Sequence, residues 1–246
     1  MGRGRRPAIG IRLALETGWS ALARHPWALM QFTLLLGSFN LLCQLLIRWA
    51  GSEGGFAPAE PALALTASLL GWLGYLGSNL WLLVGLLQGA AGVLDGQPLG
   101  LRQLLTPRCR PLLRAAGVLA VVTVLLILIL WMAQLSSWLL VLLQPSLAPL
   151  PQIAGVAASV YLITDQVLCL PLTVLGELQP LQAVRLGRSA IDPHWLQALG
   201  LSLMLGLLVL AGFLLLLVGL TTTLPLAACT LVAAYRQLFE PPRKPA

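Results

Sequence analysis

The stretch from Pro98 to Leu143, PLGLRQLLTPRCRPLLRAAGVLAVVTVLLILILWMAQLSSWLLVLL, decides the fold of this chain. Four arginines lie near its start, and no charged residue follows between Ala115 and Leu143. As a helix, that uncharged run is roughly 43 Å long, against a hydrocarbon core of about 30 Å. It therefore predicts a membrane-spanning helix whose arginines stay on the cytoplasmic side, because positively charged short loops are retained there.

The composition of the whole chain supports the same class. Of its 246 residues, 58% are hydrophobic and 9% are charged, whereas soluble domains carry roughly 25% charged residues. The net charge of +7 does not indicate a nucleic-acid partner, because the basic residues flank apolar runs, as in membrane proteins. The four cysteines have no metal-ligand spacing, and no motif predicts a cofactor.

The predicted fold is an all-α, polytopic membrane bundle of about six transmembrane helices. One transmembrane domain covers residues 9–239, between a disordered basic N-terminus at 1–8 and a cytoplasmic tail at 240–246. The predicted spans cover residues 27–49, 62–94, 115–143, 153–175, 195–220 and 224–239. A turn is expected at Thr221–Thr223, and a kink near Pro171. Of fifteen Lys and Arg residues, only Arg48 falls outside, so both termini are predicted to be cytoplasmic.

Three cytoplasmic amphipathic segments are predicted between the spans, over residues 9–24, 95–114 and 177–194. The apolar stripe of the first comprises Ile11, Leu15, Gly18, Trp19 and Leu22, which predicts a helix on the membrane surface. The string Val93–Leu99 recurs as Val174–Leu181 with one insertion. The order surface helix, span, span therefore indicates a three-fold repeat of parallel copies.

Small residues of span two lie on one face of a helix. The face includes Gly74, Ser78, Gly85 and Gly89, within an arc of about 60° at 100° per residue. Small residues on one face let a second helix approach closely. The pattern predicts helix packing rather than a ligand site.

Asp165 is the one ionisable residue predicted deep in a span. It lies about 18 Å from Ile153, near the middle of the bilayer. A candidate intramembrane polar site around it comprises Asp165, Gln166, Asn79, Asn40, Tyr161 and Gln134, with no basic residue at that level. Either a proton or cation site or an interhelical hydrogen-bond cluster fits this pattern.

The cytoplasmic arginines are candidates for binding lipid head groups. They are Arg102, Arg108, Arg110, Arg114, Arg185 and Arg188. Each basic residue near an anionic surface contributes about 1 kcal/mol. The same residues also set the topology of the chain without any specific lipid, and the two roles are compatible.

Several short motifs carry a resemblance to a known family. They are Gly18-Trp19, His25-Pro26-Trp27, Ala183, Ser189, His194-Trp195, Gly219, Pro225, Ala228 and Tyr235-Arg236-Gln237-Leu238. With them the chain resembles bacterial six-helix integral membrane proteins similar to the membrane domain of glycerophosphodiester phosphodiesterases. The resemblance implies a membrane domain that anchors or accompanies other activities. No position matches a catalytic residue, and the soluble phosphodiesterase barrel is not expected.

The function predicted from the sequence is that of a non-enzymatic protein of the bacterial inner membrane. It would be a scaffold, anchor or accessory subunit, with anionic lipids and other membrane proteins as partners. The alternative is a small transporter that uses the polar layer around Asp165, although the P-x-[DE]-x-x-[KR] signature of three-fold carriers is absent. A lipid-modifying enzyme comes third, because the sequence lacks paired catalytic carboxylates and histidines.

Overall fold

The computed structural model describes residues 10–51, 60–106 and 109–239. The regular structure of this described part of the chain is helical. Its helices are α1 (Ile11–Arg24), α2 (Pro26–Ala50), α3 (Pro61–Leu94), α4 (Leu101–Leu105), α5 (Cys109–Leu143), α6 (Pro149–Gln166), α7 (Cys169–Val174), α8 (Pro180–Ile191), α9 (Trp195–Leu214) and α10 (Leu216–Phe239). The predicted basic N-terminus at 1–8 and tail at 240–246 lie outside the described residues.

Five segments are long and apolar enough to cross a membrane. They are Pro26–Ala50, Pro61–Leu94, Cys109–Leu142, Pro145–Val174 and Trp195–Leu214. Their apolar side chains remain largely exposed on the outside of the bundle; Leu142, for example, is 83% exposed and Trp131 73%. Exposed apolar faces of this extent are typical of helices that lie in a membrane. The all-α, multi-pass membrane class predicted from the sequence is therefore confirmed.

The long helices pair as three hairpins that follow one another along the chain. α2 packs against α3, α5 against α6, and α9 against α10. A short helix precedes each hairpin and packs on the hairpin before it: α4 contacts α2 and α3, and α8 contacts α5, α6 and α7. α1 contacts α9 and α10 in the same way. This cyclic order joins the first hairpin to the last.

The first and last hairpins meet at the short helix that follows the second hairpin. α3, α7 and α10 are in mutual contact, and α7 comes directly after α6 in the chain. A residue of positive φ follows two of these helices, Gly96 at 71° after α3 and Glu177 at 53° after α7. These residues fall in the two copies of the string that recurs in the sequence. Each copy therefore contains one residue of positive φ shortly after a helix.

The turn between α9 and α10 lies at Leu215, so the turn predicted at Thr221–Thr223 is wrong. The three threonines instead belong to α10. The hydroxyl groups of Thr222 and Thr223 donate to the Gly219 carbonyl at 2.8 and 3.0 Å. Because these hydroxyls are satisfied by the helix itself, the threonines need no loop.

The helical conformation is interrupted between α6 and α7, beginning four residues before Pro171. α6 ends at Gln166 and α7 begins at Cys169. The pyrrolidine ring of a proline clashes with the carbonyl of the residue four positions earlier, here Val167. The interruption therefore lies at the predicted kink. It brings the side chains at the end of α6 against neighbouring helices.

α1 buries part of the predicted apolar stripe, including Gly18 and Leu22 but not Trp19. Its buried residues are Ala14, Gly18, Ala21 and Leu22, whereas Trp19, assigned to the apolar stripe, is 62% exposed. Gly18 allows α1 to approach α10 closely, because a Cβ there would lie 2.8 Å from the backbone nitrogen of Thr230. α1 thus packs closely on α10, and its location on the membrane surface stays a prediction.

Candidate functional site

The small residues of α3 lie against α2. A Cβ added at Gly74 would be 2.6 Å from the Cys43 sulfur, and one at Gly85 would meet the Phe32 ring. At Gly89 the added Cβ would lie 2.7 Å from Leu29 of α2 and 2.9 Å from Leu104 of α4. Ser78 accepts a hydrogen bond from the Asn40 amide at 3.1 Å. This face of α3 is therefore occupied by neighbouring helices.

A first polar group, called here the Asp165 cluster, comprises Asp165, Gln166 and Cys169 at the break between α6 and α7. Asp165 is 2% exposed, and its Oδ2 accepts a hydrogen bond from Gln166 Nε2 at 3.3 Å. The Cys169 thiol donates to Gln166 Oε1 at 2.8 Å. Among the described residues, Oδ1 of Asp165 has no hydrogen-bond donor. The carboxyl group is thus enclosed and only half satisfied.

Helix α8 covers the Asp165 cluster. A Cβ at Gly187 would lie 2.6 Å from the Cys169 sulfur, so the two helices touch at this point. Arg188 follows Gly187 on this helix, but no ion pair among the described residues joins it to Asp165. That no basic residue lies at the level of Asp165 to pair with it stays a prediction.

Tyr161 connects the same region to α9. Its hydroxyl donates to Asp192 Oδ1 at 3.1 Å, and its ring stacks on Trp195 with centroids 5.7 Å apart. Tyr161 lies one helical turn before Asp165. The hydroxyl group is engaged by a carboxylate at the α8–α9 junction, and no hydrogen bond between described residues links it to Asp165.

The remaining members of the predicted polar layer lie elsewhere. Asn40 bonds Ser78 and also accepts from Gln44 at 2.9 Å. The Asn79 amide donates to the Tyr75 carbonyl of its own helix at 2.8 Å, and Gln134 is exposed on α5. Within the described residues, none of these hydrogen bonds reaches Asp165. Hydrogen bonds between the described residues therefore do not join the six side chains into one cluster.

A second polar region surrounds a cavity of about 690 Å³ between α3, α4, the start of α5 and the end of α7. We call it the arginine cavity. Its wall includes the apolar side chains of Trp81, Val84 and Leu104. Its polar side chains include Gln88, Gln97, Gln103, Arg110 and Arg114. One space thus combines an apolar wall with cationic and amide groups.

Local sequence explains how these side chains come together. Arg110 and Arg114 are four residues apart at the start of α5, so they project from the same face of that helix. Leu104 of α4 is buried, and its carbonyl accepts a hydrogen bond from the Trp81 indole at 3.3 Å. That contact holds α4 over α3, and α4 carries Gln103 to the cavity.

Two acidic residues of the arginine cavity are partly neutralised. Asp95 accepts two hydrogen bonds from the Arg236 guanidinium at 2.9 and 3.1 Å. Glu177 lies 3.8 Å from Arg114, with its side chain 82% exposed, so this ion pair is weak. Arg110 forms no ion pair within the described part of the chain. The cavity therefore keeps cationic groups that are free to meet an anion.

The predicted head-group arginines divide between two places. Arg110 and Arg114 line the arginine cavity, whereas Arg102 on α4 and Arg185 and Arg188 on α8 are exposed. Arg108 lies outside the described residues. The sequence patterns did not predict the cavity glutamines. Gln88 carried a signal, because it is a polar side chain inside the long apolar run of span two.

No protein-family model, curated protein or solved structure matches this chain. The described residues contain no group of three or more His, Cys, Asp or Glu side chains placed to hold a metal ion. The fold and the two polar regions define a multi-pass helical membrane protein with one enclosed carboxyl group and one open, arginine-lined cavity.

Proposed function

We propose that this chain is a non-enzymatic integral protein of the bacterial inner membrane that acts as a scaffold, anchor or accessory subunit and contacts anionic lipids. The arginine cavity is the observation that carries the proposal, because it presents Arg110 and Arg114 beside an apolar wall. Cationic groups next to apolar surface suit the boundary between hydrocarbon and head groups.

Six spans with both termini in the cytoplasm make up the proposed topology. α10 is the sixth span; it has 24 residues and runs back along α9. Asp95, Arg114, Glu177 and Arg236 are brought together in pairs at the ends of α3, α5, α7 and α10. Basic residues concentrated at one end of the bundle support a cytoplasmic location for that end.

The proposed scaffold role is supported by the outer surface of α5. Its large apolar side chains, including Leu113, Trp131, Trp138 and Leu142, are at least 70% exposed. Such a face can pack against lipid chains or against the helix of a partner protein. Purification in mild detergent should therefore recover a membrane protein partner in fixed proportion. Recovery of the chain with lipid alone would contradict the scaffold role.

Cysteine labelling tests the topology. Cys109 is exposed, whereas Cys43, Cys169 and Cys229 are buried, so a membrane-impermeant maleimide should report on Cys109. We expect labelling of Cys109 only from the cytoplasmic side, and labelling of a Ser146→Cys variant only from outside. Labelling of Cys109 from outside would refute the proposed orientation.

A second candidate function is a small transporter, and the free Oδ1 of buried Asp165 favours it. An enclosed carboxyl group that lacks a full set of partners could exchange a proton or a cation. Flux in proteoliposomes that disappears in Asp165→Asn, with folding retained, would support transport. Flux that survives this substitution would exclude Asp165 as the carrier group.

A further inference from the structure

We infer that the arginine cavity binds one anionic phospholipid. Its phosphate would lie at Arg110 and Arg114, and one acyl chain would lie along the apolar wall formed by α3 and α4. This inference rests on the proposed function, which requires only general contact with anionic lipid. Beyond that general contact, the inference specifies a single site that one lipid molecule saturates.

The order of side chains along the cavity matches the order of groups in a phospholipid. Arg110 and Arg114 lie at the start of α5. Gln88 lies seven residues before Asp95 on α3, about 10 Å deeper. Its side chain forms no hydrogen bond with another described residue, so its amide is free to donate to an ester carbonyl. Trp81 lies two turns deeper still, and its half-buried ring provides apolar surface for a chain.

The charges of the cavity favour a phosphate over a neutral head group. Arg236 already occupies Asp95 with two hydrogen bonds, so that carboxylate does not repel an anion at full strength. Glu177 is largely exposed and only 3.8 Å from Arg114, and water screens such a pair. A phosphate can therefore replace Glu177 as the partner of Arg114 and add Arg110, which supplies charge-assisted hydrogen bonds.

The size of the cavity favours a lipid over free phosphate. A volume of about 690 Å³ falls within the range of about 300–1,000 Å³ that is usual for small-molecule sites. Inorganic phosphate would fill only a small part of that space.

Native mass spectrometry of the full chain in mild detergent tests the inference by titration with phosphatidylglycerol and with phosphatidylcholine. We expect one phosphatidylglycerol to bind before any other lipid, and phosphatidylcholine to bind more weakly. Because each basic residue near an anionic group is worth about fivefold in affinity, Arg110→Gln with Arg114→Gln should weaken phosphatidylglycerol binding about 25-fold. Inorganic phosphate at millimolar concentration should not displace the lipid.

The matched control is Arg185→Gln with Arg188→Gln, which removes the same charge from exposed positions on α8. We expect this variant to change the affinity of the first phosphatidylglycerol by less than about twofold. An equal loss in both double variants would overturn the specific site while leaving general lipid contact intact. Wild type without preference for phosphatidylglycerol would remove both the site and the anionic contact of the proposed function. Displacement by inorganic phosphate would assign the cavity to free phosphate instead.

A second pair of variants tests occupancy without changing charge. Gln103 lines the cavity from α4 and is exposed, so the fold tolerates a larger side chain there. Gln103→Trp should obstruct part of the cavity and weaken the first binding event, whereas Gln103→Ala should preserve it. Unchanged binding in Gln103→Trp would place the lipid outside the cavity and refute the inference.

Discussion

The two polar regions of this protein differ in how much of their polarity the chain itself satisfies. Around Asp165, the side chains bond one another and α8 closes over them, with Gly187 touching Cys169. In the arginine cavity, Gln88 and Arg110 have no hydrogen-bond or ion-pair partner within the described residues, and about 690 Å³ is open beside them. The first arrangement stabilises helix packing, and the second leaves binding capacity for another molecule.

A larger side chain in the closed Asp165 cluster should have the largest effect on stability. Gly187→Val places new atoms on Cys169, whose sulfur lies 2.6 Å from an added Cβ. We expect a loss of about 1–3 kcal/mol in unfolding free energy, because well-packed interiors resist insertion. Gly206→Val is the matched control on α9, since a Cβ there meets nothing within 4 Å. Thermal unfolding in detergent measures both, and equal stability of the two variants would show that the Asp165 cluster is not closed.

Removing polarity from the Asp165 cluster should have the next largest effect. Asp165→Leu leaves the Gln166 amide without its acceptor and should cost about 1–2 kcal/mol. Asp165→Asn keeps an acceptor oxygen in the same place and should leave stability nearly unchanged. Detergent unfolding curves of the two variants provide the measurement. A stable Asp165→Leu variant would contradict a structural role for this hydrogen bond.

The smallest expected effect concerns backbone strain at the rim of the arginine cavity. Glu177 has φ of 53°, a conformation that costs a non-glycine residue roughly 1–2 kcal/mol. Glu177→Gly should therefore stabilise the protein by about 1 kcal/mol. Glu177→Gln keeps the strained backbone and removes only an exposed charge 3.8 Å from Arg114, so its stability should match the wild type. A gain in Glu177→Gln equal to that in Glu177→Gly would assign the effect to charge and not to φ.

Internal repetition connects the two regions. The first copy of the string begins at the end of α3 and passes through Gly96. It leads into α4 beside the arginine cavity. The corresponding string after α7 passes through Glu177 and leads into α8, which covers Asp165. In both cases a short helix packs on the preceding hairpin. α8 has 12 residues and covers its neighbours, whereas α4 has only 5 residues, which leaves space beside α5.

The sequence by itself determined the helical membrane class and indicated a distortion of the fourth span near Pro171. These features depend on local properties: the length of an apolar run, the position of arginines and the missing N–H of a proline. The same local signals placed the turn at Thr221–Thr223 incorrectly, since threonine hydroxyls can bond either within a helix or in a loop.

Only the tertiary structure decided which polar residues meet. Asn40 and Asn79 looked equivalent to Asp165 by depth along their spans, yet their hydrogen bonds lie within the α2–α3 hairpin. Gly187 meets Cys169 because α8 folds back onto α6 and α7, and Gln88 and Arg110 line one cavity because α4 leaves that space open. Depth along a helix is a property of one segment, whereas contact depends on how α8 and α4 pack on hairpins formed earlier in the chain.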